Sequence, residues 1–248
     1  MGNNVVVDGI IDEFDRFGIL PHTLPNAIGM WPNEQECLVW CALQANPFYN
    51  WLEVGSFCGG SAILLALSKQ KRGNGKYKLF SVDNNFNPLF DYNVYSRGKF
   101  DEIVEKLECH SQNILQHYNE PLSFIFLDGW HSFSAIINEF NLLRHLMTED
   151  CIIGFHDVSP LMTTHNEKHV DNCYHIAMNN LDNLMASKTQ DFMLDEAIAH
   201  ICTEQGYQIV DIPVRTNETH FQETHLTEWV RGTTSPVNSF TAIQRTLQ

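Results

Sequence analysis

The chain is short of positive charge. Its 248 residues hold 15 lysines and arginines against 30 aspartates and glutamates, a formal net charge of -15 with histidine neutral. Proteins that hold nucleic acid neutralise its phosphates with basic patches, so nucleic acid is not expected as substrate or partner. Long hydrophobic runs are missing too. None approaches the roughly 20 residues that span a bilayer, and no membrane partner is expected. The first 17 residues are acidic and lack the basic n-region of a secretory leader. Gly2 invites myristoylation, but Val6 stands where Ser or Thr is needed. Seven cysteines include no C-x-x-C pair; their odd number and scattered spacing predict reduced thiols and a cytoplasmic setting. No Gly-Lys-Ser or Gly-Lys-Thr occurs, which excludes a phosphate loop.

What is present is an ample core, with 44% hydrophobic and 11% aromatic residues. Length and composition fit one α/β domain over residues 1–248. The centre of the pattern is Trp-Leu-Glu-Val-Gly-Ser-Phe-Cys-Gly-Gly-Ser, residues 51–61. A short apolar run, three glycines and a second apolar run read as strand, tight turn and helix start. Glycine admits close backbone approach and positive φ, and a helix N-terminus presents free N–H groups. A dinucleotide turn needs glycine at its second position, where this chain has Phe57. The turn therefore suits a nucleoside ligand without phosphates, or no ligand at all.

Around this stretch, residues 8–18 predict a short amphipathic helix. Asn33 and Glu36 form a capping box for a helix to about Ala45, and Pro47 ends this N-terminal helical segment, residues 1–46. Strands are expected at Trp51–Gly55, Tyr77–Val82, Leu107–His110, Leu122–Leu127 and Cys151–Phe155. Helices are expected at Gly60–Lys69, Tyr95–Leu107 and Phe133–Met147. That alternation implies a doubly wound, mostly parallel sheet. Residues 158–190 break the rhythm as an insertion or lid, with a helix near Cys173–Met185. A helix at Asp191–Glu204 follows. Strands at Tyr207–Ile212 and Ser239–Gln244, separated by a polar stretch, are expected to pair antiparallel.

Glu53, Asp83 and Asp128 each end a strand, and His156 and Asp157 end a fourth. Open α/β sheets bind ligands beyond the carboxyl ends of their strands, so these groups are expected to share one crevice. A carboxylate such as Asp83 can accept both hydroxyls of a ribose; it can equally cap a turn. Asp128, His156 and Asp157 either hold Mg²⁺ or Mn²⁺ or form a hydrogen-bonded Asp–His pair bracing the loops. His165 and His169, four apart, and His220 and His225 read as surface residues.

Five stretches together resemble class I S-adenosylmethionine-dependent methyltransferases, and within them the catechol O-methyltransferase-like, metal-dependent small-molecule enzymes. They are Leu-Glu-Val-Gly-Ser-Phe-Cys-Gly-Gly-Ser (52–61), Leu-Phe-Ser-Val-Asp (79–83), His-Ser-Gln-Asn-Ile (110–114), Phe-Leu-Asp-Gly-Trp-His (126–131) and Gly-Phe-His-Asp-Val (154–158). The resemblance implies a seven-stranded Rossmann-like methyltransferase fold and an enzyme that methylates a hydroxyl of a small molecule. It implies that Gly55, Gly59 and Ser61 hold the methionine end of S-adenosylmethionine, Asp83 its ribose, and Ser111 and Gln112 its adenine. Glu53, Ser56, Asp128 and Trp130 complete the implied cofactor site. It puts Asp128, His156 and Asp157 on the metal-ligand positions and His131 on that of the general base. The chain departs from the family twice: His156 replaces a carboxylate, and the base is histidine rather than lysine. Two rival readings are an NAD-linked oxidoreductase on the same sheet and an inert S-adenosylmethionine-binding protein. The N-terminal helices are left to pack on their own sheet or, in a homo-oligomer, on a second subunit.

Overall fold

A computed structural model of the chain describes residues 2–19, 30, 32–73, 76–130, 132–156, 194–212 and 240–246. Helices α1 (Gly2–Asp15) and α2 (Pro32–Gln44) come first. Strand β1 (Asn50–Val54), helix α3 (Gly60–Lys71) and strand β2 (Leu79–Asp83) follow. A π-helix (Asp91–Arg97) leads to β3 (Val104–Glu108). A 3₁₀ turn (Ser111–Asn113) and the short α4 (Ile114–His117) lead to β4 (Leu122–Leu127). Helix α5 (Phe133–Leu143), strand β5 (Met147–Phe155), helix α6 (Leu194–Gln205) and strands β6 (Tyr207–Ile209) and β7 (Thr241–Arg245) complete the described elements.

The described strands form one seven-stranded sheet in the order β3-β2-β1-β4-β5-β7-β6. Strands β1 to β5 run parallel, and β7 is antiparallel to both β5 and β6. The doubly wound, mostly parallel sheet expected from the strand–helix alternation is the one found, and the last two strands pair antiparallel as expected. Strands β1 and β4 are buried at every position. Helices cover both faces, which is why these strands read as continuous apolar runs rather than alternating ones.

Side chains alternate between the two faces. Trp51, Phe124, Phe126 and Ile152 pack with α1, α2 and α3. Leu52, Val54, Ile125, Leu127, Ile153 and Phe155 pack with α5 and α6. Burial of such side chains contributes roughly 1.5–3 kcal/mol each for the larger ones, so the two clusters fix the strand register as well as the fold.

Several expected elements differ. The first helix starts at Gly2, well before residue 8. Helix α2 begins at Pro32, so Asn33 lies inside its first turn and is not the cap; a proline at the first helical position loses no hydrogen bond. In place of a helix over Tyr95–Leu107, the π-helix ends at Arg97 and β3 starts at Val104. Strand β3 is an outer strand buried mainly at Val104, and its Val-Glu-Lys-Leu-Glu sequence hides the strand in a polar pattern. Helix α5 stops at Leu143, and β5 begins four residues before the expected Cys151. The expected helix at Cys173–Met185 and the insertion at 158–190 lie outside the described residues.

Candidate active site

The alternation along the strands aims the acids. Glu53 is two residues past Trp51, and Asp128 two past Phe126, so both continue the face covered by α1–α3. Ser81 on β2 joins them there: its hydroxyl donates to Glu53 Oε1 at 2.7 Å. Glu53 is fully buried, and Oε2 has no hydrogen-bond partner. Burial pushes its carboxyl up to about 7. The hydroxyls of Ser81, Ser56 and Ser61 oppose that rise, while the neighbouring Asp128 adds to it.

Asp83 does something different from what its position suggests. The N–H groups of Ser56 and Phe57 donate to its Oδ2 at 3.1 and 3.0 Å, and the N–H of Asn85 donates to Oδ1 at 3.0 Å. It is the clasp of the turn. The clasp matters because Phe57 sits at φ 43°, left-handed backbone that a bulky side chain adopts only when held.

The glycines are also used internally. Gly55 has φ +90°, and a Cβ there would lie 2.1 Å from the Asp128 carbonyl oxygen. A Cβ on Gly59, at φ +85°, would lie 2.6 Å from Val94 Cγ2 in the π-helix. Both bare backbones are filled by the chain itself at those points. Asn93, buried in the same π-helix, donates to the Cys58 carbonyl at 2.9 Å and ties the turn from below.

Asp128 and His156 do meet. Oδ1 of Asp128 lies 2.9 Å from Nδ1 of His156. The imidazole is 4% exposed, and its second nitrogen, Nε2, lies 3.2 Å from Glu34 Oε2. Glu34, in the first turn of α2, is fully buried. A histidine thus stands between two carboxylates drawn from β4 and from a helix 122 positions away in sequence. Glu34 went unnoticed in the sequence because its neighbours Asn33 and Glu36 offered a capping motif. Its signal was faint: an acid at the start of a helix whose following residues are nearly all buried.

Of the other candidates, Ser111 and Gln112 lie in the 3₁₀ turn after β3, Ser111 partly and Gln112 largely exposed. Ser56 and Ser61 are buried in the glycine turn and the start of α3. Trp130 is 59% exposed. His131 and Asp157 lie outside the described residues, as do His165, His169, His220 and His225. Among the described residues no group of three or more His, Cys, Asp or Glu is placed to hold a metal ion. No helix of the described residues is long and apolar enough to cross a membrane.

Residues 52–158 match the family Methyltransf_24, described as a methyltransferase domain. The match spans somewhat less than half of the chain. It runs from β1 to just past the end of β5, the stretch that holds Glu53, Asp83, Asp128 and His156. No curated protein matches the chain in sequence. Among solved structures it is similar to the SAH-bound methyltransferase PaMTH1 of Podospora anserina, with a TM-score of 0.58 at 14% identity over 97% of this chain and 88% of that one. It is also similar to an O-methyltransferase from Bacillus cereus in complex with SAH, with a TM-score of 0.56 at 14% identity over 97% of this chain and 91% of the other. At such identity the likeness is one of fold. Fold and family agree with the expected class I S-adenosylmethionine-dependent methyltransferase, and they favour methyl transfer over the NAD-linked reading.

Proposed function

We propose that this methyltransferase moves the methyl group of S-adenosylmethionine to a hydroxyl of a small molecule. The observation that carries the reading is the position of Asp128. Its backbone carbonyl presses on Gly55 of the glycine turn, and its carboxylate faces the imidazole of His156. Acid, imidazole and cofactor turn are thus locked to one another. The Bacillus cereus O-methyltransferase of the same fold was solved with SAH, which supports the cofactor and the chemistry. The acidic balance of the chain supports a small acceptor over a nucleic acid.

In this reading the unmatched Oε2 of Glu53 accepts from the ammonium at the methionine end. Asp83 braces the turn that the nucleoside rests on, and its oxygens keep lone pairs for the ribose hydroxyls. The sulfonium is already an activated donor, so the protein's work is alignment and proton removal. Alignment can contribute roughly 7–11 kcal/mol. His131, on the family's base position, would take the acceptor's proton.

The residues fit a divalent cation in part. Asp128 Oδ1 and His156 Nδ1, 2.9 Å apart, would be the donors offered to such an ion by the described residues. Asp157 would add a third donor from the next position. A bound Mg²⁺ or Mn²⁺ lowers the pKa of a coordinated hydroxyl.

The test is calorimetry with SAH on the metal-stripped protein, repeated with Mn²⁺ present. Micromolar binding is expected in at least one run. Binding in neither would overturn the methyltransferase reading.

A further inference from the structure

The π-helix is the least expected element of the fold, and it is seated against the glycine turn. The N–H of Gly98 donates to the Asn93 carbonyl, five residues back, at 2.9 Å. Turns of this width are rare and gather at functional sites. Here two consecutive residues meet the glycine turn. Val94 Cγ2 lies 2.6 Å from where a Gly59 Cβ would be, and the Asn93 side-chain amide donates to the Cys58 carbonyl at 2.9 Å. We propose that Asn93 is a positioning residue for the cofactor: it fixes the Cys58–Gly59 peptide, and with it the turn, in the geometry that S-adenosylmethionine meets. The inference deepens the function proposed above and rests on it for the effect on binding, but the hold on the peptide is testable by itself.

A trans peptide is planar, so its carbonyl and its N–H point in opposite directions. With the Cys58 oxygen drawn to Asn93, the Gly59 N–H is turned away from the π-helix. It donates to the Ser56 carbonyl at 2.8 Å and closes the four-residue turn Ser56–Gly59. The second residue of that turn is Phe57, at φ 43°. Turns with positive φ at this position favour glycine, asparagine or aspartate there, so a phenylalanine keeps this one only if the surroundings hold it. Asp83 grips the first half, through the N–H groups of Ser56 and Phe57. Asn93 grips the second half, through a carbonyl. The two holds are complementary, one accepting and one donating, and they come from different elements. The π-helix is itself anchored at both ends: Lys106 pairs with Asp91 at 2.9 Å, and the Arg97 guanidinium donates to the Arg16 carbonyl at 3.0 Å. Asn93 is 1% exposed, so its hydrogen bond is shielded from water. A turn that holds its binding geometry only part of the time binds with an affinity reduced by that fraction. Asn93 raises the fraction.

The experiment uses the full chain with Asn93→Leu, which keeps the branched outline without the donor, and Asn93→Ala, which opens space instead. An effect common to both comes from the lost donor. Ser123→Ala is the reference, since Ser123 donates to the Asn46 carbonyl at 2.6 Å near the opposite end of the sheet. SAH affinity is read by calorimetry on folded protein, and the Gly59 amide by hydrogen exchange in ¹H–¹⁵N spectra. In the wild type the Gly59 amide should be protected. In both Asn93 variants its protection should fall further than that of the β1 and β4 amides, and SAH affinity should drop about tenfold. Ser123→Ala should keep both. SAH affinity unchanged in the folded Asn93 variants overturns the inference, and so does Gly59 protection that falls no further than that of β1 and β4. Should neither variant fold, the wild type decides: a Gly59 amide that exchanges as freely as an exposed one overturns the inference, and a protected one supports it. A wild type that binds no SAH overturns the methyltransferase reading, while Gly59 exchange still judges the hold of Asn93.

Discussion

The two ends of the sheet differ in how they bury polar groups. At the amino ends of the strands, buried groups bond largely to the main chain. Lys69 donates to the Tyr49 carbonyl at 3.1 Å and lies 4.2 Å from the Trp51 ring centre. Ser123 donates to the Asn46 carbonyl at 2.6 Å, and Asn50 accepts from the Lys78 N–H at 2.8 Å. At the carboxyl ends, Glu53 bonds to Ser81 and His156 to Asp128 and Glu34, while Asn93 bonds to the Cys58 carbonyl. Main-chain partners are fixed by the strands and stay put, so the amino end is mostly a seam, although Asn50 also donates to Tyr118 and Glu120 and Trp51 Nε1 has no hydrogen-bond partner. Side-chain partners can exchange for a ligand, and the carboxyl end keeps an unmatched oxygen on Glu53 for one.

The largest effect that separates the two ends should come from glycine. Gly55→Ala places a Cβ 2.1 Å from the Asp128 carbonyl at φ +90°, and a loss above about 4 kcal/mol is expected. Gly73, before the amino end of β2, also has positive φ but nothing within 4 Å, so Gly73→Ala should cost about 1 kcal/mol. Chemical denaturation of both variants checks the contrast. Equal losses would mean that Gly55 is only a turn residue.

The buried charges should give pH slopes of opposite sign. Glu53 is raised from 4.5 to about 7 in the folded protein. Between those values the folded state holds the extra proton, so stability falls as pH rises, by about 3 kcal/mol over the window. Lys69 is lowered from 10.5 to about 7 by burial. There the unfolded state holds the extra proton, so stability rises from pH 7 toward 10.5, by a few kcal/mol less what the Trp51 ring offsets. Denaturation against pH should lose the first slope in Glu53→Gln and the second in Lys69→Met. A variant that keeps its slope would place the titration elsewhere.

The smallest effects concern single hydrogen bonds. Ser123→Ala should lower stability by about 1 kcal/mol and leave SAH binding unchanged. Asp83→Asn should cost a similar amount to somewhat more, because it weakens the acceptor for two turn N–H groups, and it should also weaken SAH binding several-fold. If both variants bind SAH like the wild type, Asp83 belongs to the seam and not to the site.

Much of this was legible in the chain. The apolar runs 51–54 and 122–127 carry their strands in composition alone, because both faces are buried. The acids that follow such runs could be placed at one edge by the rule that ligands gather at carboxyl ends. Strand β3 was misread because an outer strand alternates with solvent. The π-helix was misread because its wide turn answers to Asn93 and Val94 packing on the glycine turn, not to a periodicity of its own.

Sequence by itself determined the parallel sheet, the glycine turn and the meeting of Asp128 with His156, since these follow from local periodicity and from strand ends that share an edge. Only the tertiary structure decided what the groups do to one another. It made Asp83 a clasp of the turn, filled the space beside Gly55 with Asp128's own carbonyl, left one oxygen of Glu53 unmatched, and brought Glu34 of α2 to His156. Partners 26 to 122 positions apart meet through packing of faces, and no short-range pattern in the chain records which side chain on a buried helix turns inward.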